Sequence, residues 1–106
     1  MEAVEINAGS WYLRALRDDD RLSDVPALSD LGIADPAAFV VAADAGWADE
    51  TRFTWAVCEP TTGELMSLIT ADPGGRPDGM ARDGQQSSLD EVRQVVTRFL
   101  LSLEFR

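Results

Sequence analysis

Apolar and polar positions alternate most clearly from Phe53 to Cys58. There Phe53, Trp55 and Val57 interleave with Thr54, Ala56 and Cys58, the period of a half-buried strand. A second apolar run, Leu65 to Ile69, follows the segment Glu59-Pro-Thr-Thr-Gly63. Pro60 fixes φ early in that segment and Gly63 can adopt positive φ, so the two runs are expected to pair as an antiparallel hairpin. Ser10 to Arg17 reads as a shorter strand, with Trp11, Leu13 and Ala15 on one face and Tyr12, Arg14 and Leu16 on the other. Asp18-Asp-Asp20 ends it.

Helical spacing appears in three places. Leu22, Val25, Leu28 and Leu31 recur every third residue, Pro26 sets the start of a short helix, and Gly32 stops it. Asp35-Pro36 pairs an N-cap residue with proline at the first helical position. From there Phe39, Ala43 and Trp47, with Val40, form an inward face, and Asp44, Asp49 and Glu50 point to water. Ser88-Leu-Asp-Glu91 has the pattern of a capping box, and Leu89, Val92, Val96, Phe99 and Leu103 continue a helix to about Leu103.

Between the hairpin and that last helix lie residues 72–86, with four glycines and two prolines and no apolar run. This composition predicts a flexible loop. The order is strand, helix, helix, strand, strand, loop, helix. It predicts a single α+β domain over 1–106, a small, mainly antiparallel three-stranded sheet packed with two to three helices.

Composition narrows the chemistry. Nineteen carboxylates against nine cations give a net charge of −10, and all nine cations are Arg; the chain has neither Lys nor His. Such a field repels phosphates and no basic stripe interrupts it, which argues against nucleic acid as a partner. Without His, and with one Cys, a zinc site or a His-dependent triad has no ligand set, so no metal is expected. No segment reaches the roughly 20 apolar residues of a membrane span, and Met1-Glu-Ala-Val-Glu5 has no signal-peptide character. A cytoplasmic protein without membrane association is expected. The Ala-, Asp- and Arg-rich, Lys-free usage resembles that of GC-rich bacterial genomes.

Few side chains invite chemistry. Cys58 lacks a His or Lys to lower its pKa and is expected to be structural. Tyr12 is a possible proton donor but reads as a packing residue. Asp18, Asp19 and Asp20 fit no calcium-loop spacing and read as a solvated turn. Arg76 and Arg82, the cations of the 72–86 segment, are available for anion contact, and Trp11, Trp47 and Trp55 read as core or interface anchors.

Residues 11–71 resemble the N-terminal half of a GNAT-superfamily N-acetyltransferase, of the type that modifies protein N-termini. Trp11-Tyr-Leu-Arg-Ala-Leu-Arg-Asp-Asp-Asp20 is similar to the family's opening strand and acidic turn. Asp35-Pro36 with Gly46-Trp-Ala-Asp49 is similar to its second helix, and Phe53–Val57 with Thr62-Gly-Glu-Leu65 to its paired second and third strands. The resemblance implies a fourth strand and then a Gln/Arg-x-x-Gly-x-Gly/Ala loop that wraps the pyrophosphate of acetyl-CoA. Arg76-Pro-Asp-Gly-Met-Ala81 fits that pattern, which makes Arg76, Gly79 and Ala81 the cofactor-binding residues it implies. The fourth strand is not legible, and Ser88 to Arg106 resembles the helix after the loop, ending in Leu103-Glu-Phe-Arg106 at the entry to a fifth strand. The half that completes the cleft and supplies a catalytic Tyr is not expected, so no catalytic residue is carried over.

Three functional expectations follow. The first is a degenerate GNAT-like protein lacking a complete acetyl-CoA site, or one that acylates only within an oligomer. The second is a non-catalytic acidic interaction module, with homodimerisation through an unpaired edge beside the third strand or through the last helix. The third, resting on net charge, is an acidic inhibitor or immunity protein for a basic target.

Overall fold

A computed structural model describes residues 1–104; Phe105 and Arg106, where the expected entry to a fifth GNAT strand falls, lie outside the described residues. Among the described residues the chain runs β1 (Ile6–Ala8), β2 (Trp11–Arg14), α1 (Val25–Asp30), α2 (Pro36–Asp49), β3 (Phe53–Cys58), β4 (Leu65–Ala71), β5 (Asp78–Ala81) and α3 (Gln86–Leu103). The strands form one antiparallel sheet in the order β1-β2-β3-β4-β5. The expected α+β class stands, but the three-stranded sheet is corrected to five strands.

Both added strands are short and lie at the edges. β1 pairs with β2 through Ile6↔Leu13, Asn7↔Tyr12 and Ala8↔Trp11, turning at Gly9 with φ 62°. β5 lies inside the segment read as loop, and it covers the edge of β4 that a three-stranded sheet would have left unpaired. Its register puts Met80 opposite Leu68 and Gly79 opposite Ile69. Gly79 is sterically required there, because a Cβ would stand 2.0 Å from Leu68 O and 2.9 Å from Leu89 Cδ1.

The predicted hairpin is present, with Phe53↔Ala71 through Cys58↔Leu65 in register and a bulge between Val57 and Cys58. Its turn closes through Gly63 N–H to Glu59 O at 2.8 Å, with Gly63 at φ 72°. The Glu59 carboxylate accepts from the N–H groups of Thr61 and Thr62, which lowers its pKa.

The alternation in β3 sorts its side chains onto two cores, because neighbouring residues face opposite sides of a sheet. Phe53, Trp55 and Val57 join Leu13, Ile69 and the α3 residues Leu89, Val92, Val96 and Leu100. Ala56 and Cys58 join Leu65 and Leu68 against Leu28 of α1 and Ala43 of α2, with Phe39 packed at the margin. The sheet therefore carries α3 on one face and α1 and α2 on the other. Trp47, at the end of α2, crosses to the α3 side. Its ring lies 4.9 Å from Phe53 and 5.0 Å from Trp55, and Phe99 closes the cluster at 5.3 Å from Trp55.

The helix starts differ in their agreement with the sequence. Asp35 caps α2 as expected, its carboxylate accepting from Ala38 N–H. The expected capping box at Ser88 is not formed, since α3 begins at Gln86. Ser88 points inward instead, fully buried, with its hydroxyl donating to Gln85 O at 2.7 Å and 3.0 Å from Ser67 Oγ on β4. Burying a hydroxyl favours such a pairing over a cap exposed to water.

Candidate functional site

The residues implied by the GNAT resemblance occupy a turn and an edge strand. Arg76 is exposed between β4 and β5, and Gly79 and Ala81 belong to β5 itself. The Gly79 N–H is engaged by the carboxylate of its neighbour Asp78 at 2.8 Å. The helix that follows starts five residues beyond Ala81, at Gln86. A pyrophosphate needs clustered free N–H groups, usually at a helix N-terminus. This stretch presents a carboxylate and a paired strand in their place, so its residues do not fit the group.

Other residues singled out by type are accounted for by packing and turns. Cys58 is fully buried, and burial pushes its thiol up to about 11, the opposite of what a nucleophile requires. A hydrogen bond to Glu5 raises the pKa of Tyr12. Asp19 accepts from the Arg17 guanidinium at 2.9 Å and from the N–H groups of Arg21 and Leu22 at 2.9 and 3.0 Å. These donors, Arg17 first, hold its carboxyl down at about 2. Asp18 accepts from Ser23 Oγ. Trp47 Nε1 donates to Thr54 O, Trp55 Nε1 to Val4 O, and Trp11 Nε1 to the Glu91 carboxylate at the surface.

One buried ion pair was hidden in the sequence. Arg14 of β2 and Asp24, which precedes α1, make two parallel bonds of 2.8 Å, with side chains 7% and 3% exposed. Asp24 also accepts from Arg17 N–H, and Arg14 donates to Ala15 O and Gly63 O. This network anchors α1 to the sheet and to the β3–β4 turn.

A concave surface lies between α1, the start of β4 and the edge strand β5. A cleft of about 740 Å³ is bounded by Asp30, Glu64, Arg82 and Asp83, with Leu31, Met66 and Met80 among its apolar lining. Arg82 spans it as a strut: one guanidinium nitrogen donates to Glu64 at 2.7 Å, the other to Asp30 at 3.0 Å. Both carboxylates raise its pKa, Glu64 the more. Three carboxylates thus surround one guanidinium that is already engaged, and the cleft retains negative charge. A smaller cleft of about 140 Å³ shares Met80 and continues past Ile33, Phe39 and Asp78.

The signal for this surface in the sequence was faint: Met66 reads as one more residue of the Leu65–Ile69 run, Met80 stands alone among polar residues, and Asp30, Glu64 and Asp83 are scattered. Among the described residues no group of three or more His, Cys, Asp or Glu could hold a metal ion, and no helix is long and apolar enough to cross a membrane. No protein-family model, curated protein or solved structure matches the chain.

Proposed function

We propose that this chain is a non-catalytic, acidic protein-binding module that covers a cationic surface of a protein partner, in the manner of an inhibitor or immunity protein. The observation that carries it is the disposition of charge. Net charge is −10; Arg82, the cation of the larger cleft, is consumed internally by Glu64 and Asp30, and the buried Arg14 by Asp24. Potential of one sign over a small domain attracts an oppositely charged partner and accelerates encounter. The candidate nucleophile, Cys58, is buried and its thiol is held protonated. The test is affinity capture with the tagged chain at low and high salt, followed by reconstitution of each captured protein in pure form. A stoichiometric complex with a basic protein, weakened by salt, is the expected result; pure partners that are all neutral or acidic would overturn the reading.

A second reading follows from the GNAT resemblance, and the order β2-α1-α2-β3-β4-β5-α3 favours it. In that frame β5 stands where the family's fourth strand is expected. The module would descend from such a half with its pyrophosphate loop lost, since Asp78 and the paired strand β5 occupy that stretch. Calorimetric titration with acetyl-CoA, with Arg76→Ala as control, tests the loss: no heat at millimolar ligand is expected, and heat that the variant abolishes would overturn it.

A further inference from the structure

We infer that the outer edge of β5, with the methionine-floored groove beside it, is the docking site for an extended basic segment of the protein partner, which adds to the sheet as a sixth strand. The inference rests on the reading of the chain as an acidic binding module and names the surface it uses.

Backbone geometry supplies the first half of the case. Arg82 N–H donates to Met66 O, and the register continues through Met80↔Leu68 and Asp78↔Thr70. In an antiparallel ladder hydrogen-bonded pairs alternate with non-bonded ones. Gly79 and Ala81 are therefore the residues whose N–H and C=O groups point outward, away from β4. The Asp78 carboxylate covers the Gly79 N–H, a local blunting of the edge, and among the described residues no side chain covers the Ala81 N–H in that way. An edge with outward donors and acceptors is a template for strand addition.

Side chains supply the second half. The groove runs on the α1/α2 side of β4 and β5, with Met66 and Met80 as its floor and Leu31, Ile33 and Phe39 along its wall. Met80 is 41% exposed, a large apolar side chain left beside an open edge. Methionine adapts its shape to varied partners. Negative charge is in excess at one end, where Asp30, Glu64 and Asp83 surround the engaged Arg82, and at the other end Asp78 stands beside Arg52, so the charge preference of the groove lies at the Asp83 end. The complementary occupant is an extended segment with apolar residues facing the methionines and Lys or Arg at the end that meets Asp83. A second copy of this chain is disfavoured because each carries a charge of −10.

The test uses a capped eight-residue peptide of alternating Lys and Val as the probe, titrated into the full chain and followed by amide NMR. Expected are shifts centred on residues 78–83 and on the groove residues Leu31, Ile33, Phe39 and Met66, slowed exchange of the Ala81 amide, and binding that weakens with salt. Ala81→Pro deletes the outward N–H and leaves the β4 ladder intact, as proline is tolerated on an edge. It should weaken binding about tenfold, the scale of one lost hydrogen bond plus its local clash. Asp83→Lys, at an exposed position, should weaken it by a similar factor. Undiminished binding to both variants, shifts centred on another surface, or no binding at all would each overturn the proposal. So would a dimer in light scattering that Ala81→Pro dissolves. If a basic protein partner still binds wild type and both variants equally, the module reading stands and only the surface is wrong.

Discussion

Arg14 and Asp24 face each other across a fork of two 2.8 Å bonds, buried between β2 and the first turn of α1. Burial, the largest single influence, works against the charge on Arg14, but the hydrogen bond and charge of Asp24 together with Cys58 and Tyr12 outweigh it, so its pKa is raised. The Arg14 Nε is left buried without a hydrogen-bond partner among the described residues. The pair is therefore a joint between elements, and losing either half strands the other's charge.

Asp24→Ala should lower unfolding stability by about 3–5 kcal/mol, the range for leaving a buried ion uncompensated. Urea denaturation of Asp24→Ala, Arg14→Ala and the double variant would check it. The double variant should be less destabilised than the sum of the two single changes, since it leaves no lone charge. Additive losses would mean the residues do not act as a pair.

Gly79→Ala forces a Cβ to within 2.0 Å of Leu68 O, a backbone atom that cannot swing aside. Overpacking of this kind costs about 1–3 kcal/mol. Thermal unfolding should show the loss, and hydrogen exchange should place it in β5 and the start of α3.

The Cys58 thiol should resist alkylation at pH 8 in the native protein and react only on unfolding, as it is fully buried with a pKa near 11. Its folded pKa lies above the ordinary 9.0, so its contribution to stability is complete below about pH 9 and lost as pH rises through 11. Rapid labelling of folded protein at pH 8 would contradict this placement.

Asp19 titrates in the opposite sense. Its folded pKa, about 2, lies below the ordinary 3.8, so the Arg17–Asp19 turn is fully formed above pH 3.8 and lost as pH falls through 2. Carboxyl-carbon NMR should show the Asp19 midpoint near 2, and Arg17→Ala should move it upward.

Phe99→Ala removes the ring that meets Trp47, Phe53 and Trp55 edge-on, and should cost about 3 kcal/mol, the lower end for a partly buried aromatic. Tryptophan fluorescence of the folded state should shift to the red as the cluster opens.

The hairpin from Phe53 to Ala71 was legible because both of its strands are buried and its turn residues are Pro and Gly. The α2 start was legible because Asp35 and Pro36 act locally, within one turn. β1 and β5 were not, and the reason is the same for both. Each is an edge strand of three or four residues held by backbone pairing, and Asp78-Gly-Met-Ala81 offers one large apolar side chain. Periodicity cannot register a strand whose partner supplies the hydrophobic face. Ser88 misled for a different reason: its capping pattern is local, and the buried hydroxyl of Ser67, 21 positions away, outcompetes it. The acidic cleft was invisible because Asp30, Glu64 and Asp83 meet only once α1 has folded against the hairpin.

The sheet's uninterrupted order has a kinetic consequence. Every strand pairs with its immediate successor, and three of the four junctions are tight hairpins or short turns. The ladder β3-β4-β5 can close by successive short loops at small entropic cost, and α3 follows directly in sequence to seal its face. Closing β2 onto β3 is the distant step, since it waits for the 38 residues from Ala15 to Arg52 to fold α1 and α2 into place. On loop-closure grounds residues 53–103 are expected to nucleate first, with the Arg14–Asp24 joint closing last on the assembled domain.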